Sequence, residues 1–345
     1  MRRGLASVLS DDIAIDLGTA NTLVHVVGRG VIIDEPSLVA LVTRNARREV
    51  LAIGQKAREI VGRAPESVET IRPLRDGVIA DFIAAEAMLR DFIRRSKSMT
   101  GLRRPRILIC VPAGATPVER RAVYETAASA GARAVYMIEE PVAAALGAGL
   151  PVDEATAAMV IDIGGGTTDI AVLADGGVVS SRSLRLAGNA MDEAIVRYVR
   201  RHHDLLIGEA SAERIKIEAG SASRAVGGRR TEIHIRGREL RHGRPKSIVL
   251  GPADIAEALE PVVTELAEFI LRALEDLPGE MAREVAAEGV HLTGGGALLR
   301  DLDCELARRV GVRFLVPEWP MQCVVRGSAK VLEELDRRQH LLIGT

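Results

Sequence analysis

Cysteine is scarce. Cys110, Cys304 and Cys323 are scattered over 345 residues, which builds neither a zinc site nor a disulfide frame and fits a reducing compartment. An excess of one charge is also missing. The net charge of −1 leaves no general electrostatic case for nucleic acid or an anionic surface. No apolar run approaches the roughly 20 residues needed to span a bilayer. Met1-Arg2-Arg3-Gly4-Leu5 begins like an export signal, but its apolar stretch ends at Asp11-Asp12 without a small-residue cleavage site, so export is not expected.

What is there is organised around Met159–Leu173. A β-branched run ends in Asp162, then come Gly164, Gly165, Gly166, Thr167 and Thr168, then a second apolar run. This pattern predicts strand, Gly-rich loop, strand. Glycines without Cβ let backbone N–H groups close around an anion, and a strand-end carboxylate can hold a hydrated Mg²⁺ against it. The design occurs twice. Asp12–Val27 repeats it, with Asp16 matching Asp162 and Gly18 matching Gly164, followed by Thr19, Ala20 and Asn21. A duplicated pair suggests two similar domains gripping a polyphosphate, and the length suffices for two cores.

Between these hairpins the chain alternates strand and helix, as in an α/β domain. Strands are expected after Gly30, broken at Pro36, and over Arg106–Val111 and Ala134–Ile138. Helices are expected over 55–63, over Ala80–Arg95 (apolar side Phe82, Met88, Leu89, Phe92, Ile93), and from Thr116, whose Pro117 and Glu119 complete a capping box. In the second half, Val178–Leu186 reads as a strand. Ala212–Ala219 reads as a helix ended by Gly220, residues 221–250 as a small accessory sheet, and Pro252–Leu277 as one long amphipathic helix. Thr293, Gly294, Gly295, Gly296 and Ala297 follow a strand and are expected to open a helix, whose N-terminus would face a phosphate or sugar. Glu139-Glu140-Pro141 reads either as a charged turn favoured by a helix dipole or as a water-orienting carboxylate. Glu213 and Lys216 share a helix face, and by themselves read as a surface ion pair. Residues 1–10, with Arg2, Arg3, Leu5, Val8 and Leu9, read as a frayed terminus or a short membrane-lying helix.

The segments Asp16-Leu-Gly-Thr-Ala-Asn-Thr, Asp162-Ile-Gly-Gly-Gly-Thr-Thr and Leu292-Thr-Gly-Gly-Gly-Ala-Leu-Leu resemble the two phosphate motifs and the adenosine motif of the superfamily holding actin, DnaK-type chaperones and sugar kinases. Within it, Arg72–Asp81, Val118–Ala122, Ile138–Ala145, Met191–Ile195 and Ala212–Lys216 resemble the MreB family, the bacterial actins of rod-shaped cells. The resemblance runs from about Asp12 to about Leu332.

It implies an α/β actin-like ATPase fold of two duplicated ribonuclease-H-like domains. The first is 1–150, with an accessory subdomain at 33–75, closed by the C-terminal helix 325–345; the second is 151–325, with an accessory subdomain at 187–250. ATP and Mg²⁺ would occupy the cleft. Asp16 and Asp162 would hold the metal through water, Gly18 to Asn21 one side of the phosphates, and Gly164 to Thr167 the other. Glu213 and Lys216 would face ribose and adenine, and Gly294 to Ala297 would wall the adenosine. Glu140 would orient the attacking water with help from Thr167. The resemblance also implies a weak ATPase that forms paired protofilaments on the inner membrane face, through residues 1–10 and loop 98–103, and works with RodZ and the MreC, MreD and RodA wall-elongation complex. Two positions depart from the family: Asp169 stands for a usual Glu, and Asn189 for a usual acid. In the 98–103 loop Arg103 replaces a second apolar residue.

Two other classes share these motifs. A nucleotide-gated chaperone needs a substrate-binding β domain after the ATPase core, and a small-molecule kinase needs an acceptor pocket with a catalytic Asp. The chain shows neither feature. Deleting residues 1–10 is expected to weaken binding to anionic liposomes in the presence of ATP, read by co-sedimentation and electron microscopy.

Overall fold

A computed structural model describes residues 12–44, 47–61, 65, 67–97, 104–223 and 232–344. Residues 1–10 and the loop 98–103, the expected membrane contacts, lie outside the described residues.

The first half opens as an antiparallel meander: β1 (Ile13–Leu17), β2 (Asn21–Val26) and β3 (Gly30–Pro36). The break at Pro36 is as expected, since proline cannot donate to a continuing ladder. β4 (Val39–Arg44), β5 (Arg47–Ile53) and, after α1 (Gln55–Ile60), β6 (Val68–Ile71) form a separate three-stranded sheet. A minimal pair follows, β7 (Leu74–Arg75) and β8 (Val78–Ile79). Then come α2 (Phe82–Ser96), β9 (Arg106–Val111), α3 (Pro117–Ser129), β10 (Ala134–Glu139) and α4 (Glu140–Ala148). The Thr116–Glu119 capping box forms in both directions. β9 and β10 join the meander in parallel, giving the order β10-β9-β1-β2-β3.

The second half repeats this plan. β11 (Ala158–Ile163), β12 (Thr168–Ala174) and β13 (Gly177–Leu184) are its meander. α5 (Gly188–His203), β14 (Leu205–Leu206), α6 (Glu209–Ala219), β15 (Ile233–Glu239) and β16 (Pro245–Leu250) follow, the three strands making the small sheet. α7 (Pro252–Glu275), α8 (Gly279–Glu288), β17 (Val290–Thr293), α9 (Leu302–Val310), β18 (Phe314–Leu315), α10 (Cys323–Glu333) and α11 (Leu335–Arg338) complete it. The order β13-β12-β11-β17-β18 matches that of the first sheet strand for strand.

Side-chain alternation turns the two sheets into layers. Ile13, Ile15 and Leu17 pack outward with α2 and α3. Met159, Ile161 and Ile163 pack outward with α7 and its neighbours. Ala14, Leu23, Ala158, Val160, Ala171 and Leu173 face a shared middle layer made by α4 and α10. Asp16, Asp162 and Asp169 fall on the same inward register as these residues.

The middle layer is closed by glycine. A Cβ on Gly147 would lie 1.8 Å from the Cys323 carbonyl oxygen, and one on Gly327 would lie 1.8 Å from that of Ala143. The helices therefore touch backbone to backbone. Ser328 Oγ, 2.9 Å from Cys110 Sγ, and Lys330 Nζ, which donates to Leu146 O at 2.6 Å, pin α10 on either side.

Two expectations need correction, and that of Gly220 holds for a reason of space. Phe82 is exposed; as the first residue of α2 it precedes the packed face, which starts at Ala84 and Ala85. Gly220 ends α6 as expected, in extended backbone. It is required by space, because a Cβ there would meet Lys216 O at 2.2 Å and Leu299 Cδ1 at 2.9 Å. Gly295–Leu298 forms only a short 3-10 turn, and α9 starts at Leu302, so no α-helix dipole points from the third glycine loop.

Gly327→Ala is expected to destabilise the fold by about 1–3 kcal/mol, because neither backbone can yield to the added methyl. Urea denaturation checks this.

Candidate functional site

The inward register delivers three carboxylates to one end of the middle layer. Asp16 lies at the end of β1, opposite Leu23. Asp162 lies at the end of β11, directly opposite Asp169 on β12. Glu140 is the first residue of α4 and brings a fourth. Burial, and then the charges of Asp162 and Asp34, raise Asp16 to about 8. Burial and then Asp169 raise Asp162 to about 7, against the Thr293 Oγ1 bond to Asp162 Oδ1 at 2.7 Å. Glu140 is pushed well up by burial, then by Asp169, Asp16 and Asp162. Such a group favours whatever brings positive charge to it.

Asp169 stays behind the others, fully buried, while Asp16, Asp162 and Glu140 open onto a cavity of about 330 Å³. It is lined by Asp16, Gly18, Thr19, Ala20, Asn21, Glu140, Asp162, Gly164, Gly165, Gly166, Thr167, Glu213, Lys216, Gly294, Gly295 and Gly296. The structure thus brings every candidate site residue except Ala297 to one cavity. Ala297 is buried and does not line it.

The two loops meet face to face. A Cβ on Gly165 would lie 2.7 Å from Ala20 Cβ, and one on Gly166 would lie 2.7 Å from Asp76 Cα and 2.8 Å from Thr19 Oγ1. These glycines serve close approach, since none of the three in this loop has a positive φ. Both loops are tied back. Ser37 Oγ donates to Gly18 O at 2.6 Å, and the Gly77 N–H donates to Thr19 Oγ1 at 2.9 Å. The Asn189 N–H donates to Gly165 O at 2.8 Å. Gly294 has φ +79°, and a Cβ there would meet Ile163 O at 2.4 Å, so the third loop packs on the strand that carries Asp162.

Asp169 is fully buried. Its Oδ1 accepts from the Ala113 N–H at 2.9 Å, and Ser183 and Thr167 also bond to the carboxylate. Glu213 and Lys216 do not pair with each other. Lys216 Nζ donates to Gly188 O at 2.8 Å and sits 2.9 Å from Asp192 Oδ1. Burial first, opposed by Lys216, leaves Asp192 raised to about 6.

The glycine loops offer backbone N–H groups that could hold an anion, and Ile217, Leu298 and Leu299 add apolar wall at the α6 end. Among the described residues no three Asp, Glu, His or Cys side chains are grouped to hold a metal directly. Two carboxylates facing an open cavity suit a hydrated Mg²⁺ that shares its shell with phosphates.

Comparison with known proteins agrees. The family model described as MreB/Mbl protein matches residues 10–340. The cell shape-determining protein MreB of Escherichia coli is 50% identical over 339 residues, 97% of each chain. The chain belongs to the MreB/Mbl family. The cell shape-determining protein Mbl of Bacillus subtilis is 45% identical over 326 residues, 94% of this chain and 97% of its own. The crystal structure of MreB5 of Spiroplasma citri bound to ADP superposes with a TM-score of 0.89 at 33% identity, covering 96% of this chain and 98% of that one. The fold is accordingly the α/β actin-like ATPase fold.

Several lining residues were missed in the sequence: Gly77, Asp192, Arg300, Met321 and Val324. Asp76-Gly77 carried a turn signal, and Gly77 does take φ +75° against Pro112 and Thr167. The others sit on ordinary helices and turns, where spacing gives no cue.

Asp162→Asn is expected to raise the stability of the ligand-free protein by roughly 1–2 kcal/mol at pH 8, because it removes one of several mutually repelling buried carboxylates. The thermal midpoint without nucleotide or divalent cation checks this.

Proposed function

We propose that this protein is an ATP-binding bacterial actin that hydrolyses ATP slowly, forms membrane-associated filaments and directs cell-wall synthesis to maintain rod shape. The observation that carries this reading is the pair of carboxylate-tipped hairpins, built on matching sheets, that close on one cavity. The family supports it, as do the MreB5 structures of Spiroplasma citri bound to ADP and to AMPPNP. The two halves, 1–150 and 151–325, would be the two domains of the actin plan, each with its small sheet as accessory subdomain.

Asp16 and Asp162 would hold Mg²⁺ through water, and the metal when bound would neutralise phosphate charge. Gly18 to Asn21 and Gly164 to Thr167 would cradle the phosphates with backbone N–H groups. Glu213 and Lys216 would meet the ribose and adenine edge, with Gly294 to Gly296 behind. Glu140 would orient the attacking water. Thr167, bonded to Asp169, would assist it. Catalysis of this kind is positioning plus charge stabilisation, with no covalent intermediate.

Self-assembly into paired protofilaments, attachment to the inner membrane face, and contact with RodZ and the MreC, MreD and RodA complex follow from the family resemblance. Among the described residues no helix is long and apolar enough to cross a membrane, so attachment would be peripheral.

The test is ATP-dependent sedimentation with phosphate release measured in parallel. Wild type is expected to pellet and to release phosphate. Glu140→Gln is expected to bind ATP and pellet while phosphate release falls by about 10²-fold or more. A protein that stays monomeric with ATP and lipid would refute the filament reading.

A further inference from the structure

Glu213 faces two ways. It lines the cavity, yet its Oε2 lies 3.6 Å from Arg58 Nη2. Arg58 belongs to α1, beside the small sheet of the first half, and Glu213 belongs to α6 in the second. Among the described ion pairs this is the one that joins the two accessory elements across the cavity mouth. Lys216, one turn further along α6, does not compete for Glu213, because Asp192 and Gly188 O already hold it.

We propose that Arg58 is a positioning residue for the bound nucleotide: it holds Glu213 toward the sugar and latches the mouth, slowing nucleotide release. This rests on the nucleotide reading above. A carboxylate has two oxygens and about four acceptor sites. With Oε2 turned to Arg58, Oε1 is free to accept from a sugar hydroxyl. The sugar then stiffens Glu213, and Glu213 stiffens the pair with Arg58. The nucleoside cannot leave through the mouth without parting the two charges. The pair is half open to solvent, with side-chain exposures of 51% and 28%, so its strength is that of a surface ion pair and is screened by salt. The latch therefore sets a rate and leaves folding stability nearly unchanged.

The experiment preloads the full-length protein with etheno-ADP, at a concentration below assembly, and chases with excess ADP in a stopped-flow fluorimeter. At low salt Arg58→Ala is expected to release about two- to five-fold faster than wild type. Arg58→Lys should stay close to wild type, and Arg58→Glu should be fastest. The gap between wild type and Arg58→Ala should close in about 1 M salt, with thermal midpoints alike throughout. Equal release by wild type and Arg58→Ala at low salt overturns the proposal. So does a gap that persists in high salt, which would assign the effect to packing. A wild type that fails to bind etheno-ADP or ATP at all refutes the nucleotide reading itself, and this inference with it.

Discussion

The structure depends on where strand alternation sends three carboxylates. A sheet packed on both faces cannot choose a solvent side for a polar residue. Asp16, Asp162 and Asp169 share the inward register of Ala14, Val160 and Ala171 and so point into the layer filled by α4 and α10. Deep in that layer they would be intolerable. Asp16 and Asp162 are accommodated because they stand where the strands stop and the cavity begins, and Asp169 because it accepts from the Ala113 N–H. Their raised proton affinities measure the remaining cost. The fold holds charge apart from water and leaves an opening through which counter-charge can enter.

That opening stays narrow because backbones meet without side chains between them. Gly165 against Ala20 sets the gap between the loops, and Gly147 and Gly327 set the gap between α4 and α10. The second contact also bears on the cavity. α4 carries Glu140 at its start and α10 follows the turn that carries Met321, so displacing either helix would displace the cavity wall.

The hairpins, the capped helix at Thr116, the break at Pro36 and the long helix α7 were legible because each rests on local chemistry: alternation, caps and proline geometry. The duplication was legible because Asp16 and Asp162 sit in the same pattern. What failed was of another kind. The 3-10 turn at Gly295–Leu298 replaced an expected helix start, and Phe82 fell outside the packed face of α2. The first outcome depends on a neighbour distant in sequence, Ile163, against which the Gly294–Gly296 loop packs. The Glu213–Lys216 spacing correctly placed both residues on one face, but only the tertiary structure shows that each bonds elsewhere.

The duplication also explains why the site has a direction. Leu23 and Asp169 are equivalent positions opposite equivalent aspartates. One is apolar, and the other is an acid bonded to Ala113 and Thr167. Likewise α4 and α10 follow equivalent strands, but α4 begins with Glu140 and α10 with Cys323. Two symmetric jaws would hold a phosphate chain equally from both sides and favour no attack. Placing the extra acids on β12 and α4 concentrates negative charge beside Thr167. In the function proposed above, a water there would be oriented from one side only, and the broken symmetry is what would let a clamp also act on what it holds.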